Sequence, residues 1–183
     1  MLPLPAPGKV ICRGLDYADH IRETGRELPT YPALFPKYAD TLTGPAADLV
    51  LPAGLRADWE AGLAVVVGAT LRGADRARAL AGIAGYTVAH DLSVRDWQYR
   101  TPEWFQGTAW DATPPLGPVL VTPDEADPAA GLDVVCRVKG EETQSGNTRT
   151  LVVDAPQLLA CISTFTVLRP GDVVLTGTPG RAT

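Results

Sequence analysis

The sequence predicts a β-rich α+β domain, and two observations support this fold class. Short apolar runs rich in β-branched residues recur along the chain, and glycine, proline or polar residues bound each of them, as is typical of strands separated by turns. Helical patterns are few and short. The chain has 183 residues, of which 45% are hydrophobic, so we expect a single domain over residues 1–183 with a sizeable core.

The first part of the chain alternates short elements with loops. Residues 9–14 predict a strand that ends at glycine, and residues 16–24 predict a short helix that Gly25 stops. Residues 29–36 are expected to be a loop, and residues 49–52 a short strand.

The most informative stretch is 58–68, with the sequence DWEAGLAVVVG. Its β-branched run ends at a glycine and suits a buried strand. An acid at the mouth of such a strand is costly unless it is paired, hydrogen-bonded or bound to a cation. Glu60 therefore needs a partner.

The remaining elements are predicted from the same apolar and turn patterns. We expect helices over 75–82 and 155–165, a polar and aromatic turn or helix over 92–98, an irregular segment over 100–111, strands over 83–91, 118–122, 132–141 and 173–180, and a hairpin turn at Gly140 and Glu141.

Composition excludes several functional classes. The net charge is −5 and no basic cluster appears, which argues against a nucleic-acid partner. No apolar run approaches the ~20 residues that a membrane helix needs, and the start of the chain lacks the features of a signal peptide. The three cysteines, Cys12, Cys136 and Cys161, are far apart, so we expect a reduced, cytoplasmic protein in which they serve as packing residues.

Two acids stand at predicted strand ends, Glu60 and Asp91. Oxygen ligands at strand ends suit Mg²⁺ or Mn²⁺, but the same pattern fits surface or salt-bridged acids. His90 adjoins Asp91, although neighbouring residues of a strand point to opposite faces.

Three other patterns each allow two interpretations. His20 and Glu23 share a helix face, either as a base with its orienting acid or as a surface pair. Residues 176–178 (TGT) fit a carboxylate-binding loop or an ordinary turn. Three of the four tryptophans, Trp97, Trp104 and Trp110, form either packing around a loop or a pocket wall.

Taken together, these stretches resemble the fumarylacetoacetate hydrolase superfamily, in particular its bacterial single-domain members. The landmarks run from Lys9 to Pro179 and read KVICRGLDYADH, LTGP, DWEAGLAVVVG, GYTVAHDLSVRDWQ, GTAWDATPPLGP, QSGNT and RPGDVVLTGTP. The resemblance implies a mixed β-sandwich or roll with a few short helices, a homodimer, and Mg²⁺ or Mn²⁺ chemistry on oxo-acids by C–C hydrolysis, decarboxylation or keto–enol isomerisation.

The resemblance also implies a metal site, which this sequence matches incompletely. Glu60 and Asp91 match two metal-binding carboxylates, whereas Gly62 stands where a second glutamate is usual. Thr108 stands where a lysine usually polarises the oxo group, and we expect it to contact substrate. We therefore expect weak or absent metal binding, and we expect Gly62→Glu to strengthen it if the backbone keeps the family geometry.

The remaining functional positions are intact by the same resemblance. His20 and Glu23 match a catalytic dyad on a lid helix, and Arg95, Gln98 and Thr178 match substrate-pocket positions. Members of the superfamily normally continue beyond TGTPxG, so the domain is expected to be short at its C-terminus.

Three functions fit these residues. The first is a divergent enzyme that isomerises, cyclises or decarboxylates an enolisable oxo-acid by acid–base chemistry, with little or no metal. The second is a Mg²⁺- or Mn²⁺-dependent hydrolase or decarboxylase of acylpyruvate-type oxo-acids. The third is a non-catalytic member that binds a ligand or a partner subunit.

Overall fold

The computed structural model describes residues 7–23 and 25–180, which form nine strands and five helices. The strands are β1 (Val10–Gly14), β2 (Ala33–Lys37), β3 (Ala57–Asp58), β4 (Ala61–Val67), β5 (Ile83–His90), β6 (Ser93–Val94), β7 (Asp133–Val138), β8 (Glu141–Asn147) and β9 (Val173–Leu175). The helices are α1 (Ala18–Glu23), α2 (Arg76–Ala81), α3 (Arg95–Gln98), α4 (Phe105–Thr108) and α5 (Ala155–Phe165).

A five-stranded mixed sheet forms the centre of the fold, with the strand order β2-β1-β9-β4-β5. Strands β1 and β9 are parallel, and the other neighbours are antiparallel. Strand β4 lies between β9 and β5, and all seven of its residues are buried. Its unbroken apolar run is what a strand covered on both faces requires.

The two faces of this sheet belong to two different cores. On one face, Val65 and Val67 of β4 pack with Leu158 and Ile162 of α5. On the other face, Ala64, the residue before Val65, belongs to a second cluster that also contains Cys12, Phe35 and Leu116. This alternation follows from the two-residue repeat of a strand. Helix α5 therefore covers the first face and leaves the second to loops and short helices.

Local signals explain where several elements begin and turn. Asp75 and Asp154 cap α2 and α5, and each side chain accepts a backbone N–H three residues later at 2.8 Å. Lys139 and Gly140 join β7 to β8 with positive φ angles of 54° and 87°, as a type I′ hairpin turn requires.

The fold class is confirmed, but four local expectations are wrong. Residues 49–52 form no strand, and Val50 is exposed. Residues 118–122 form no strand either, since only Val121 pairs, with Tyr86. The expected loop over 29–36 contains most of β2, where Pro36 is tolerated because β2 pairs only with β1 at the sheet edge. The expected irregular segment over 100–111 contains α4.

No helix among the described residues has the length and hydropathy needed to cross a bilayer. The expectations about the first six and the last three residues concern positions outside the described part of the chain.

Candidate active site

A cavity of about 340 Å³ opens beside the ends of β1 and β4. This volume is in the range of small-molecule sites. Its described lining includes polar residues from separate segments of the chain, namely His20, Glu23, Arg26, Asp58, Glu60, Arg95, Gln98, Gln144 and Thr178. Convergence of so many polar groups on one concave surface makes this cavity the candidate active site.

Helix α1 supplies the histidine–glutamate pair on one wall. His20 Nδ1 and Glu23 Oε2 are 3.4 Å apart, and the two side chains are 26% and 43% exposed. Their three-residue spacing puts them on one helix face, while Ile21 between them is fully buried and anchors the helix. With Nδ1 facing Glu23, the basic nitrogen of a neutral imidazole is Nε2.

Arg95, which also lines the cavity, holds two carboxylates. Its guanidinium binds Asp58 Oδ2 at 3.0 Å and Glu60 Oε1 at 2.6 Å, and it donates to Gln98 Oε1 at 2.6 Å. Burial opposes the charge of Arg95, but the two carboxylates outweigh it and raise the pKa of the guanidinium. Burial also raises the pKa of Glu60 to about 7, against the lowering effect of Arg95.

Asp91 lies behind this wall and pairs with a buried lysine. The Lys37 ammonium contacts Asp91 Oδ1 and donates to the carbonyl oxygen of Thr108. The Lys37 side chain is fully buried, so both contacts form away from bulk water. Burial and the neighbouring Asp91 carboxylate raise the pKa of the Cys12 thiol. The charge of Asp91 is thus balanced inside the protein.

Gly62 has no room for a side chain. A Cβ atom at Gly62 would fall on the carbonyl oxygen of Gly177, far inside contact distance. Gly177 itself has a φ of +93°, a conformation that glycine adopts readily, and its own position is closed off by the Arg13 carbonyl. The backbone has therefore closed over the place where a second glutamate would stand, and the expectation that Gly62→Glu rebuilds a metal site lacks the space it needs.

The divalent cation that the resemblance implies would need a set of carboxylate donors that come together. Among the described residues, no group of three or more His, Cys, Asp or Glu side chains comes together as a metal-donor set. Glu60 and Asp91 each hold a cationic side chain instead. The carboxylates that are present therefore do not fit the three-carboxylate set that the resemblance implies.

Gln144 reaches the site from the β7–β8 hairpin and organises the loop after β9. Its Oε1 accepts the Ala61 N–H at 3.0 Å, and its Nε2 donates to Thr178 Oγ1 at 2.8 Å and to the Pro179 carbonyl at 3.0 Å. The Thr178 hydroxyl donates in turn to the Ala61 carbonyl at 2.7 Å. Both donors of Gln144 are occupied, so it holds the start of β4 against this loop.

Trp104 forms an aromatic wall without filling the cavity. Its ring meets Phe35 edge-on at a centroid distance of 5.6 Å and passes so close to Gly14 that any larger residue there would collide with it. Trp97 and Trp110 pack against each other at 5.2 Å and are not among the described lining residues. The pocket-wall interpretation thus applies to Trp104, and the packing interpretation to the other two.

The sequence-predicted residues are brought together only in part. His20, Glu23, Glu60, Arg95, Gln98 and Thr178 all line the cavity. Asp91 and Thr108 are not in the described lining, and the Thr108 hydroxyl faces the carbonyl oxygens of Trp104 and Phe105 at 3.5 and 3.4 Å. That placement gives no support to substrate contact by Thr108.

Four residues in or next to the site were missed from sequence, namely Arg26, Lys37, Asp58 and Gln144. Lys37 could have been found from sequence, because it directly follows the apolar residues of the segment ALFPK. Asp58 and Gln144 give no such signal, because only the packing of the hairpin and of α3 shows their partners.

Comparison with known proteins shows the family to which the chain belongs. The model of the fumarylacetoacetate (FAA) hydrolase C-terminal family matches residues 9–183. The human mitochondrial oxaloacetate tautomerase FAHD2A is 43% identical over 182 residues, which are 98% of this chain. The chain spans 58% of the length of that relative.

Solved structures agree. A 5-carboxymethyl-2-hydroxymuconate delta-isomerase from Mycobacterium smegmatis matches with a TM-score of 0.89 and 35% identity, over 100% of this chain and 72% of its own. A 2-hydroxyhepta-2,4-diene-1,7-dioate isomerase from Mycobacterium marinum matches with a TM-score of 0.87 and 32% identity, over 98% of this chain and 66% of its own.

Proposed function

The chain belongs to the fumarylacetoacetate hydrolase family, and on that premise we propose that it catalyses keto–enol tautomerisation of an enolisable 2-oxo-acid. The observation that carries the proposal is the His20–Glu23 pair on the wall of a cavity that also contains the guanidinium of Arg95. Relatives named an oxaloacetate tautomerase and isomerases support this reaction class, and other relatives are named hydrolases.

The reaction needs a base close to an acidic C–H group. His20 Nε2 takes the proton from C3 of the oxo-acid, the C–H electron pair becomes the C2–C3 double bond, and the carbonyl π pair moves to oxygen. That oxygen then receives a proton, which the imidazolium returns directly or through water. The molecular formula is unchanged, and no co-reactant is consumed.

Glu23 and Arg95 have supporting roles in this proposal. The Glu23 carboxylate holds the Nδ1–H tautomer of His20 and stabilises the imidazolium that forms during proton transfer. The Arg95 guanidinium lines the same cavity and donates a hydrogen bond to the developing enolate oxygen, while Asp58 and Glu60 hold it in place and offset its charge.

We propose that this activity has weak or no metal dependence. Divalent cation binding at Glu60 and Asp91 would have to displace the ion pairs that these residues make with Arg95 and Lys37. A metal-dependent hydrolase of acylpyruvate-type acids is the alternative, and it requires that exchange. A purely ligand-binding role is a second alternative, and an open cavity beside the histidine pair argues for catalysis over it.

The test is enolisation of two oxo-acids, the dianion oxaloacetate and the monoanion phenylpyruvate, followed by ultraviolet absorbance in the presence of EDTA. We expect the wild-type protein to accelerate at least one of them. His20→Ala should lower kcat by about 100-fold or more, the usual contribution of a positioned base. Glu23→Gln should lower it less, because the imidazole remains.

Asp19→Asn is the matched control, since Asp19 lies on the same helix and pairs with Arg22 at the surface. Its rate should equal that of the wild type. An undiminished rate in His20→Ala would remove the histidine from the mechanism, and a rate that depends wholly on added Mg²⁺ would favour the hydrolase alternative.

A further inference from the structure

The charged side chains that line the cavity differ in whether they already have ion-pair partners. Its described lining contains three acids and three arginines, namely Glu23, Asp58, Glu60, Arg13, Arg26 and Arg95. Their partners decide which of the arginines is available to a bound anion.

Two of the arginines are already used. The Arg13 side chain is fully buried, pairs with Asp16 and donates to the Val153 carbonyl at 3.4 Å. Arg95 is shared between Asp58 and Glu60, so that end of the cavity carries more negative than positive side chains.

Arg26 is the exception. It is exposed and makes no ion pair with any residue in the described part of the chain. Its backbone is nevertheless held, because Gly25 N–H donates to the Arg22 carbonyl at 3.0 Å and Arg26 N–H donates to the Ile21 carbonyl at 3.2 Å. With Gly25 at a φ of +66°, this is the Schellman closure of a helix end. Arg26 is therefore fixed directly behind the His20–Glu23 helix.

The side chains around the Trp104 ring are apolar. Phe35 holds Trp104 edge-on, and the absence of a side chain at Gly14 admits the indole ring to the cavity edge. Such a wall favours an apolar or aromatic substituent over a second charged group.

We propose that the cavity binds monoanionic 2-oxo-acids with an apolar substituent, with Arg26 binding the carboxylate and the Phe35–Trp104 wall receiving the substituent. The inference rests on the proposed function for the site and names its substrate class. A dicarboxylate is disfavoured, because its second carboxylate belongs to the substituent and would lose its hydration against the apolar Phe35–Trp104 wall.

The test measures binding separately from turnover. Calorimetry gives the Kd of phenylpyruvate, of its uncharged methyl ester and of oxaloacetate for the full chain, and ultraviolet absorbance gives the enolisation rates. Arg26→Met removes the charge but keeps most of the apolar stem. Arg22→Met is the matched control, since Arg22 lies on α1, the helix that precedes Arg26, pairs with Asp19 at 2.9 Å and is not in the described lining.

We expect phenylpyruvate to bind at least about tenfold more tightly than oxaloacetate. Arg26→Met should raise the Kd of phenylpyruvate by about tenfold or more, the usual loss for a hydrogen bond to a charged group. The same change should leave the methyl ester unaffected, and Arg22→Met should change neither ligand.

Tighter binding of oxaloacetate, or an Arg26→Met variant that binds phenylpyruvate as the wild type does, would overturn the inference while leaving the proposed tautomerase activity intact. Arginine-dependent binding of phenylpyruvate without any enolisation would instead uphold the inference and refute the proposed function.

Discussion

Gly62→Glu tests most directly how the site of this chain is built. The substitution would restore the carboxylate that the family pattern has at this position. In this structure the new Cβ atom would overlap the Gly177 carbonyl oxygen, so β4 or the loop after β9 must move. That loop cannot move freely, because Gln144 ties Thr178 and Pro179 to the start of β4.

The size of the effect can be estimated in two steps. Gly62→Ala adds only the Cβ atom, and overpacking of this kind typically costs about 2 kcal/mol of unfolding free energy. Gly62→Glu adds a carboxylate beside Glu60, and an unpaired buried charge costs several kcal/mol more, so a total loss of about 4 kcal/mol or more is expected. For a chain of this length, the Tm should fall by roughly 4–8 °C in Gly62→Ala and by roughly 10 °C or more in Gly62→Glu.

The assay is thermal unfolding of the wild type, Gly62→Ala and Gly62→Glu, each with and without millimolar Mg²⁺. The expected order of stability is wild type, then Gly62→Ala, then Gly62→Glu, with no recovery of the glutamate variant by Mg²⁺. A Gly62→Glu protein that unfolds at the wild-type temperature and gains stability from Mg²⁺ would show that the backbone retains an open three-carboxylate geometry, and the steric reasoning would fail.

Three further predictions concern the charges around the site. Lys37→Met should lower the unfolding free energy by about 3–5 kcal/mol in denaturant titrations, because it leaves Asp91 buried without its cation. Arg137→Met is the control, since it removes an exposed partner of the exposed Glu142 and should cost about 1 kcal/mol or less. Mg²⁺ and Mn²⁺ titrated calorimetrically into the wild type, with and without oxalate, should show no micromolar binding, because Arg95 and Lys37 already hold Glu60 and Asp91. Saturable heat with a Kd in that range would contradict this reasoning. Burial raises the pKa of Asp16 from 3.8 to about 6, so the folded state holds this proton more tightly than the unfolded state and stability should fall as pH rises from about 4 to 6. Asp16→Asn should flatten that part of the stability–pH profile, and an unchanged profile would exclude Asp16 as its source.

The fold was largely readable from sequence, for reasons that particular elements illustrate. Strand β4 has an unbroken apolar run and α5 has an aspartate cap followed by proline, so each carries its own local signal. Strand β2 contains a proline and reads as a loop, and only its position at the sheet edge explains why it pairs. Pairing across the sheet is a tertiary property that no local pattern records.

The candidate site was predictable at the level of lining residues but not of their partners. The spacing of His20 and Glu23 on one helix turn gave the histidine pair directly. The pairing of Lys37 with Asp91 joins β2 to the end of β5, residues distant in sequence, and only the packed structure brings them together. The closed space at Gly62 likewise depends on a loop that follows the last strand.

The two departures from the family pattern compensate each other in charge. Gly62 removes one negative side chain, and Thr108 removes one positive side chain, so the net charge of the surrounding cluster is the same as with both groups present. The space at both positions is occupied differently. The Gly177 carbonyl lies where a side chain at Gly62 would begin, and the Lys37 ammonium donates to the carbonyl oxygen of Thr108. Restoring only one of the two groups adds an unpaired charge to a buried cluster in which Lys37 is already paired with Asp91 and Arg95 with Glu60. A functional reversion therefore requires both substitutions together with movement of the Gly177 loop.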